Sequence, residues 1–263
     1  MKIILSRNYL FARLRTIGKI IKSKTLKSEF NSFLFEIKDG GLTITGCDDS
    51  GQITTLIECT IEESKDLRFL LDSSTLLNAL KGLPEQPITF DIEQMDNSLR
   101  VIVRYQNGKY EMVGENVDLF PNMRKQVDAK QIVLNTETLS NGFKMLTFAS
   151  KDDTLRPIMG TINLSSKDGT LAFAATSGYN LAIYEENIQL EEFNVNIPAK
   201  IAKIVSDLSI KNENVSIIFD ETNIKFEVQD FIISYRLFEG RFQIIEVLYQ
   251  RKIIYQLLQT VKS

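Results

Sequence analysis

The sequence contains no histidine. That absence excludes Ser-His-Asp and Cys-His catalysis, an imidazole general base and any histidine-ligated metal. Cysteine is nearly as scarce. Cys47 and Cys59 stand 12 residues apart without a partner motif, which excludes a disulfide framework or zinc ribbon and leads us to expect a reduced, cytoplasmic setting. No apolar run approaches the ~20 residues that cross a bilayer, and the opening Met1-Lys2-Ile3-Ile4-Leu5 is far too short for a signal peptide. There is no Gly-x-x-x-x-Gly-Lys-Ser/Thr loop, no Gly-x-Ser-x-Gly elbow and no dinucleotide fingerprint. The carboxylate pairs Asp48-Asp49 and Asp152-Asp153 remain. Adjacent acids point in different directions, so a shared metal would need ligands from elsewhere, and turn or cap roles are expected. No catalytic residue, metal or cofactor is expected.

What is there fits an ordinary globular protein. Of 263 residues, 43% are hydrophobic and 25% charged, and the length suggests two domains or one large one. The net charge of −3 by itself speaks against a nucleic-acid partner. Its distribution speaks the other way. Residues 1–28 hold Lys2, Arg7, Arg13, Arg15, Lys19, Lys22, Lys24 and Lys27 and no acid, a local +8, so the remaining 235 residues sum to −11. Such asymmetry suits a molecule that is acidic on most surfaces and basic where it meets a polyanion. Chance clustering on a solvated helix is the alternative.

The chain repeats itself faintly. Thr25-Leu26 precedes Lys38-Asp39-Gly40-Gly41-Leu42 by thirteen residues, and Thr154-Leu155 precedes Lys167-Asp168-Gly169-Thr170-Leu171 by the same spacing, 129 residues later. In each half the pattern reads helix, strands, helix, strands. The first helix, roughly Arg7 to Lys22, carries a seam of Leu10, Leu14, Ile17 and Ile21 with Arg15, Lys19 and Lys22 opposite and Ser6 as its cap. Leu139, Phe143 and Leu146 form the matching seam in the second half, with Lys144 away from it. Leu71-Asp72-Ser73 opens a helix with Leu76, Leu80 and Leu83 inward and Lys81 outward. Ile197-Pro198-Ala199 opens its counterpart, with proline in the first turn, Ile201, Val205 and Leu208 inward and Lys203 outward. Asn107-Gly108 is a two-residue hairpin signal, and Asp220-Glu221-Thr222-Asn223 separates two more strands. We place one domain at 1–125 and a second at 126–247, entered through Val127–Ile132. Residues 248–263 form a helical tail whose stripe of Ile253, Ile254, Leu257, Leu258 and Val261 needs covering.

Three stretches then resemble one family. Phe148-Ala149-Ser150-Lys151-Asp152-Asp153-Thr154-Leu155-Arg156-Pro157-Ile158-Met159-Gly160, Ala175-Thr176-Ser177-Gly178-Tyr179-Asn180-Leu181-Ala182 and Ser234-Tyr235-Arg236-Leu237-Phe238-Glu239-Gly240-Arg241-Phe242 are similar, in order, to motifs of the bacterial β sliding clamps. These are processivity factors of replicative DNA polymerases. Leu76–Pro84, Asp118-Leu119-Phe120-Pro121 and the Lys24-Thr25-Leu26 loop fit as well. The departures are Ser177 for an acid, Tyr179-Asn180 for His-Arg, Gln243 for a proline and Glu246 for a basic residue.

The resemblance implies an α+β fold of two similar clamp domains, each with two helices packed on antiparallel sheets, that assemble into a ring around duplex DNA without sequence preference. It implies no enzymatic activity. Arg15, Lys19, Lys22, Lys24, Lys81, Lys144 and Lys203 would face DNA. Met159, Thr176, Gly178, Tyr179, Leu181, Phe242 and Val247 would take short linear peptides of the polymerase and clamp loader, although core positions are an equal reading for Leu181 and Phe242. Tyr110, Met112 and Phe148 would lie at subunit contacts. With two domains, a phage-type or otherwise reduced clamp closing as a homotrimer is the first expectation. A truncated three-domain clamp, or a clamp-like peptide-binding adaptor that does not encircle DNA, is the alternative.

Overall fold

A computed structural model describes residues 1–21, 28–63, 65–96, 98–115, 117, 118, 120, 121, 126–153, 155–209, 213–238 and 240. In chain order the first repeat runs β1 (Lys2–Ser6), α1 (Arg7–Ile17), β2 (Ser32–Lys38), β3 (Gly41–Cys47), β4 (Gly51–Ile57), a short β5 (Thr60–Glu62), β6 (Leu67–Asp72), α2 (Ser73–Lys81), β7 (Pro87–Gln94), β8 (Leu99–Tyr105) and β9 (Gly108–Gly114). The second runs β10 (Lys130–Asn135), α3 (Thr136–Leu146), β11 (Thr161–Lys167), β12 (Thr170–Thr176), β13 (Leu181–Asn187), β14 (Phe193–Pro198), α4 (Ala199–Leu208), β15 (Asn214–Phe219), β16 (Asn223–Val228) and β17 (Phe231–Arg236). With β5 set aside, the two halves carry the same ten elements in the same order.

The chain divides into two compact units, 1–127 with 225–235, and 128–224 with 236–263. In the first, the antiparallel strands β5-β1-β7-β8-β9 form one sheet and β17-β4-β3-β2-β6 belong to another. The second contains the sheet β13-β12-β11-β14 and the pair β10-β15. The expected boundary at residues 125 and 126 lies beside Val127, but 225–235, expected in the second domain, count with the first unit because β17 pairs with β4. The tail, 248–263, lies outside the described residues.

Each helix buries the seam its spacing defines. Leu10, Leu14 and Ile17 of α1 are fully buried, as are Leu76 and Leu80 of α2, Leu139 and Phe143 of α3, and Ile201 and Val205 of α4. Within each unit the two helices pack together, α1 on α2 and α3 on α4. The Ser6 hydroxyl accepts the Tyr9 N–H at 3.4 Å and caps α1 as expected. The helix is shorter than its apolar spacing suggests. It stops at Ile17, Gly18 caps it, and Ile20 rather than Ile21 completes the buried seam. Asp72 caps α2 by accepting from the Thr75 N–H at 2.7 Å. Pro198 precedes α4 as its N-cap residue instead of standing inside the first turn, and Leu208 is only half-buried.

The repeated Asp-Gly pairs make the same turn twice. Asp39 and Gly40 adopt φ of 51° and 77°, and Asp168 and Gly169 adopt 49° and 76°. Two successive left-handed residues match the right-handed twist of the strands they join. The hairpin signal at Asn107-Gly108 falls one residue late. Gly108 already pairs with Tyr105, so Gln106 and Asn107 form the turn.

Candidate functional site

The four helices carry Arg7, Arg13, Arg15, Lys81, Lys144, Lys200 and Lys203 against two acids, Glu137 and Asp207, in a chain of net charge −3. Not all of that charge faces outward. Arg7 donates to the carbonyls of Leu80 and Lys81, satisfying the orphan acceptors at the end of α2. Arg13 pairs with Asp230 while its guanidinium lies 4.8 Å from the Tyr9 ring centre and 4.9 Å from that of Phe231. Both arginines therefore serve the fold. Arg15, Lys19, Lys81, Lys144 and Lys203 are exposed. Arg15 and Lys81 belong to the paired helices of the first unit, with Lys19 in the turn after α1, and Lys144 and Lys203 to those of the second. Lys22 and Lys24 lie outside the described residues.

A second cluster surrounds the tight β12–β13 loop. Thr176 pairs with Leu181, leaving residues 177–180 as the loop. The buried Thr176 hydroxyl donates to the Asn180 carbonyl at 2.8 Å and accepts the Gly178 N–H at 3.0 Å. Gly178 has a φ of 85°, which favours glycine. A methyl group there would also stand 3.3 Å from Met159 Cε and 3.7 Å from Arg156 Nη1. Thr176, Gly178 and Met159 are thus brought together. Ser177, where the family has an acid, still accepts the Asn180 N–H at 3.4 Å.

The apolar members are more open than a core reading requires. Tyr179 is 91% exposed and Leu181 40% exposed. Phe242 and Val247 lie outside the described residues. The site residue that sequence reasoning passed over is Arg156. Asp153 accepts the backbone N–H groups of Arg156 at 3.0 Å and Leu155 at 2.9 Å and pairs with the Arg156 guanidinium, and these contacts hold its carboxyl below the usual carboxylate range. The Asp-x-x-Arg spacing was the available signal. Asn196 donates to the Gly240 carbonyl at 2.8 Å, fixing the residue that leads into 241–247.

The acidic pairs take turn roles. Asp48 accepts the N–H groups of Ser50 and Gly51, both at 2.9 Å. Among the described residues no group of three or more Cys, Asp or Glu is arranged to hold a metal ion. The expected subunit-contact residues separate. Tyr110 and Phe148 are 36% and 73% exposed, whereas Met112 is 8% exposed and packs into its own sheet. Among the described residues no helix is long and apolar enough to cross a membrane.

Two repeats of one α+β unit, each with a pair of packed helices whose outward charges are mostly basic, define a sliding-clamp fold. The sequence matches the DNA polymerase III beta subunit, N-terminal domain, over residues 1–124 and the central domain of the same subunit over residues 133–243. The chain belongs to the bacterial β sliding clamp family. Beta sliding clamps of a Synechocystis strain and of Bacillus subtilis are each 23% identical to it, over 96% and 92% of this chain and 70% and 66% of theirs. The chain spans about two thirds of the length of the curated relatives it matches. The DNA polymerase III beta subunit of Eubacterium rectale superposes with a TM-score of 0.84 at 22% identity, covering 94% of this chain and 68% of that one. A Pseudomonas aeruginosa sliding clamp bound to griselimycin superposes with a TM-score of 0.82 at 18% identity, covering 92% and 66%.

Proposed function

We propose that the protein is a DNA sliding clamp that holds a polymerase on duplex DNA and performs no covalent chemistry itself. The observation that carries this is charge placement: helices with seven basic and two acidic residues in an otherwise acidic chain. Exposed lysine and arginine facing phosphates give sequence-independent affinity through counterion release, and no base-reading group is needed. The acidic remainder repels DNA from other surfaces. The work is topological linkage in the bacterial cytosol.

Six domains close the family's ring, so three copies of this 263-residue chain close it. Partners dock on the second repeat, where Tyr179 and Leu181 stand exposed beside Met159 and Gly178. The occupants we propose are short apolar peptide segments of a polymerase and a loader. Tyr179-Asn180, in place of the family's His-Arg, shifts which peptides fit.

The deciding measurement is retention on DNA of different topology. The protein, assembled in the presence of nicked circular plasmid, co-elutes with it in gel filtration. Cutting the plasmid once releases the protein, which slides off the ends. A peptide-binding adaptor shows no DNA retention in either form, and a simple electrostatic binder is retained equally by both.

A further inference from the structure

The chain contains one finished strand junction and the two halves of another. β4 is the outer strand of the β3–β4 hairpin, and β17 covers it in antiparallel register with Gly51 opposite Tyr235, Ile53 opposite Ile233 and Thr55 opposite Phe231. The 129-residue repeat carries β4 onto β13. Leu42 pairs with Ile57 in the first repeat, and Leu171 pairs with Glu186 in the second. β13 is the last strand of its sheet, and nothing covers its outer edge among the described residues. In the same way β9 is the first repeat's version of β17. Both follow two-residue turns, Gln106-Asn107 and Gln229-Asp230, which places Tyr110 where β17 has Ile233 and Met112 where it has Tyr235. β9 is also the last strand of its sheet.

We infer that β13 of one copy pairs antiparallel with β9 of the next, in the register β4 and β17 already show. Tyr110 then lies opposite Ala182, Lys109 opposite Ile183 and Val113 opposite Tyr179. The side-chain chemistry fits. Ile233 and Ile53, the equivalents of Tyr110 and Ala182, are both fully buried, whereas Tyr110 is 36% exposed in the single copy. Val113 and Tyr179, 67% and 91% exposed, become a cross-strand apolar pair. Uncovered strands of this length invite pairing, and a contact between two different strands of successive copies is head-to-tail, so it closes a ring when the rotation allows. Phe148, on the short turn after α3, takes no part. This deepens the proposed ring and rests on that reading only for the number of copies.

The test uses the whole 263-residue chain with Tyr110→Cys and Ala182→Cys together and a short thiol-to-thiol cross-linker. Covalent multiples of 30.0 kDa are expected from the double variant and not from either single one, in which Cys47 and Cys59 remain as controls. Separately, Ile183→Lys sets a lysine opposite Lys109 and raises the assembly midpoint in sedimentation at least ~10-fold, and adding Lys109→Glu restores it. Ile183 is 44% exposed, so that variant folds even if the cysteine pair does not. An assembled protein that neither cross-links nor responds to Ile183→Lys overturns this seam and leaves the ring standing. A protein that sediments only as a monomer overturns both. Cross-linking confined within single chains, or of β13 to a different protein, overturns the seam in favour of another occupant.

Discussion

Tyr235 closes its hydroxyl onto Asp48 Oδ2 at 2.9 Å, and both side chains are buried. Gly51 makes this approach possible, since a β-carbon there would stand 2.1 Å from the tyrosine ring. Burial first, then the Asp48 charge and hydrogen bond, raise the tyrosine's pKa far above its ordinary 10.0. A raised tyrosine pKa means that the folded state keeps a proton the unfolded chain releases. The contribution is therefore complete below about pH 10 and is lost as pH climbs past it. Tyr235→Phe strands a buried carboxylate without that donor, a loss of about 1–3 kcal/mol at neutral pH. Urea unfolding at pH 7 and at pH 10.5 checks both halves: the variant is the less stable protein at pH 7, and it loses less than the parent on alkalinisation. A parallel decline in the two proteins would remove Tyr235 as the source.

At the scale of elements, close packing distinguishes glycines that look alike in the sequence. Gly142 lies inside α3, where alanine is intrinsically better by about 1 kcal/mol. A β-carbon there would meet the Phe173 ring at 2.6 Å, and that ring is already locked edge-on against Phe143 with centroids 5.7 Å apart. Overpacking costs about 1–3 kcal/mol, so Gly142→Ala lowers the unfolding midpoint. Gly82 caps α2 at φ −80°, with nothing within 4 Å of its would-be β-carbon. Gly82→Ala is neutral or raises the midpoint slightly. Thermal unfolding of the two variants side by side reads the contrast, and a loss at Gly82 equal to that at Gly142 would refute the packing account.

What could be read from sequence at this scale follows from period and local chemistry. The 3.6-residue spacing gave the buried seams of α1 to α4, and Asp39-Gly40 and Asp168-Gly169 gave their turns because left-handed backbone selects those residues. Two classes of fact were hidden. The stop of α1 at Ile17 is set by tertiary packing: a β-carbon at Gly46 would stand 2.5 Å from Ile17 Cγ2. The pairing of β17 with β4 joins residues about 180 apart, and nothing in either strand announces it. Met112 was misjudged for a related reason, because alternation tells which residues share a face but not which face meets the core. Of the candidate site, the Thr176–Gly178–Met159 cluster was legible through the family motif, while the Asp153–Arg156 contact beside it needed three-dimensional structure.

For the molecule as a whole, the question is whether net charge or its placement governs DNA binding. A chain at −3 binds a polyanion only through a locally basic surface, and counterion release makes that surface measurable. Each phosphate neutralised contributes about 0.9 to the slope of log affinity against log salt. Arg15→Glu with Lys19→Glu changes net charge by −4 and removes two contacts from the helix face, so the slope falls by about 1.8 and affinity drops most at low salt. Lys38→Glu with Lys151→Glu changes net charge by the same −4, but Lys38 sits at the end of β2 and Lys151 in the loop after α3, both exposed and off the helices. Those substitutions weaken association modestly, through long-range repulsion that salt screens, and leave the slope of the bound state nearly unchanged. Sedimentation run in parallel keeps the comparison clean, since neither pair touches β9 or β13 and both variants assemble as the parent does. If the two quadruply shifted proteins lose the same affinity and the same slope, net charge alone controls binding, and the helices are not the surface that meets DNA.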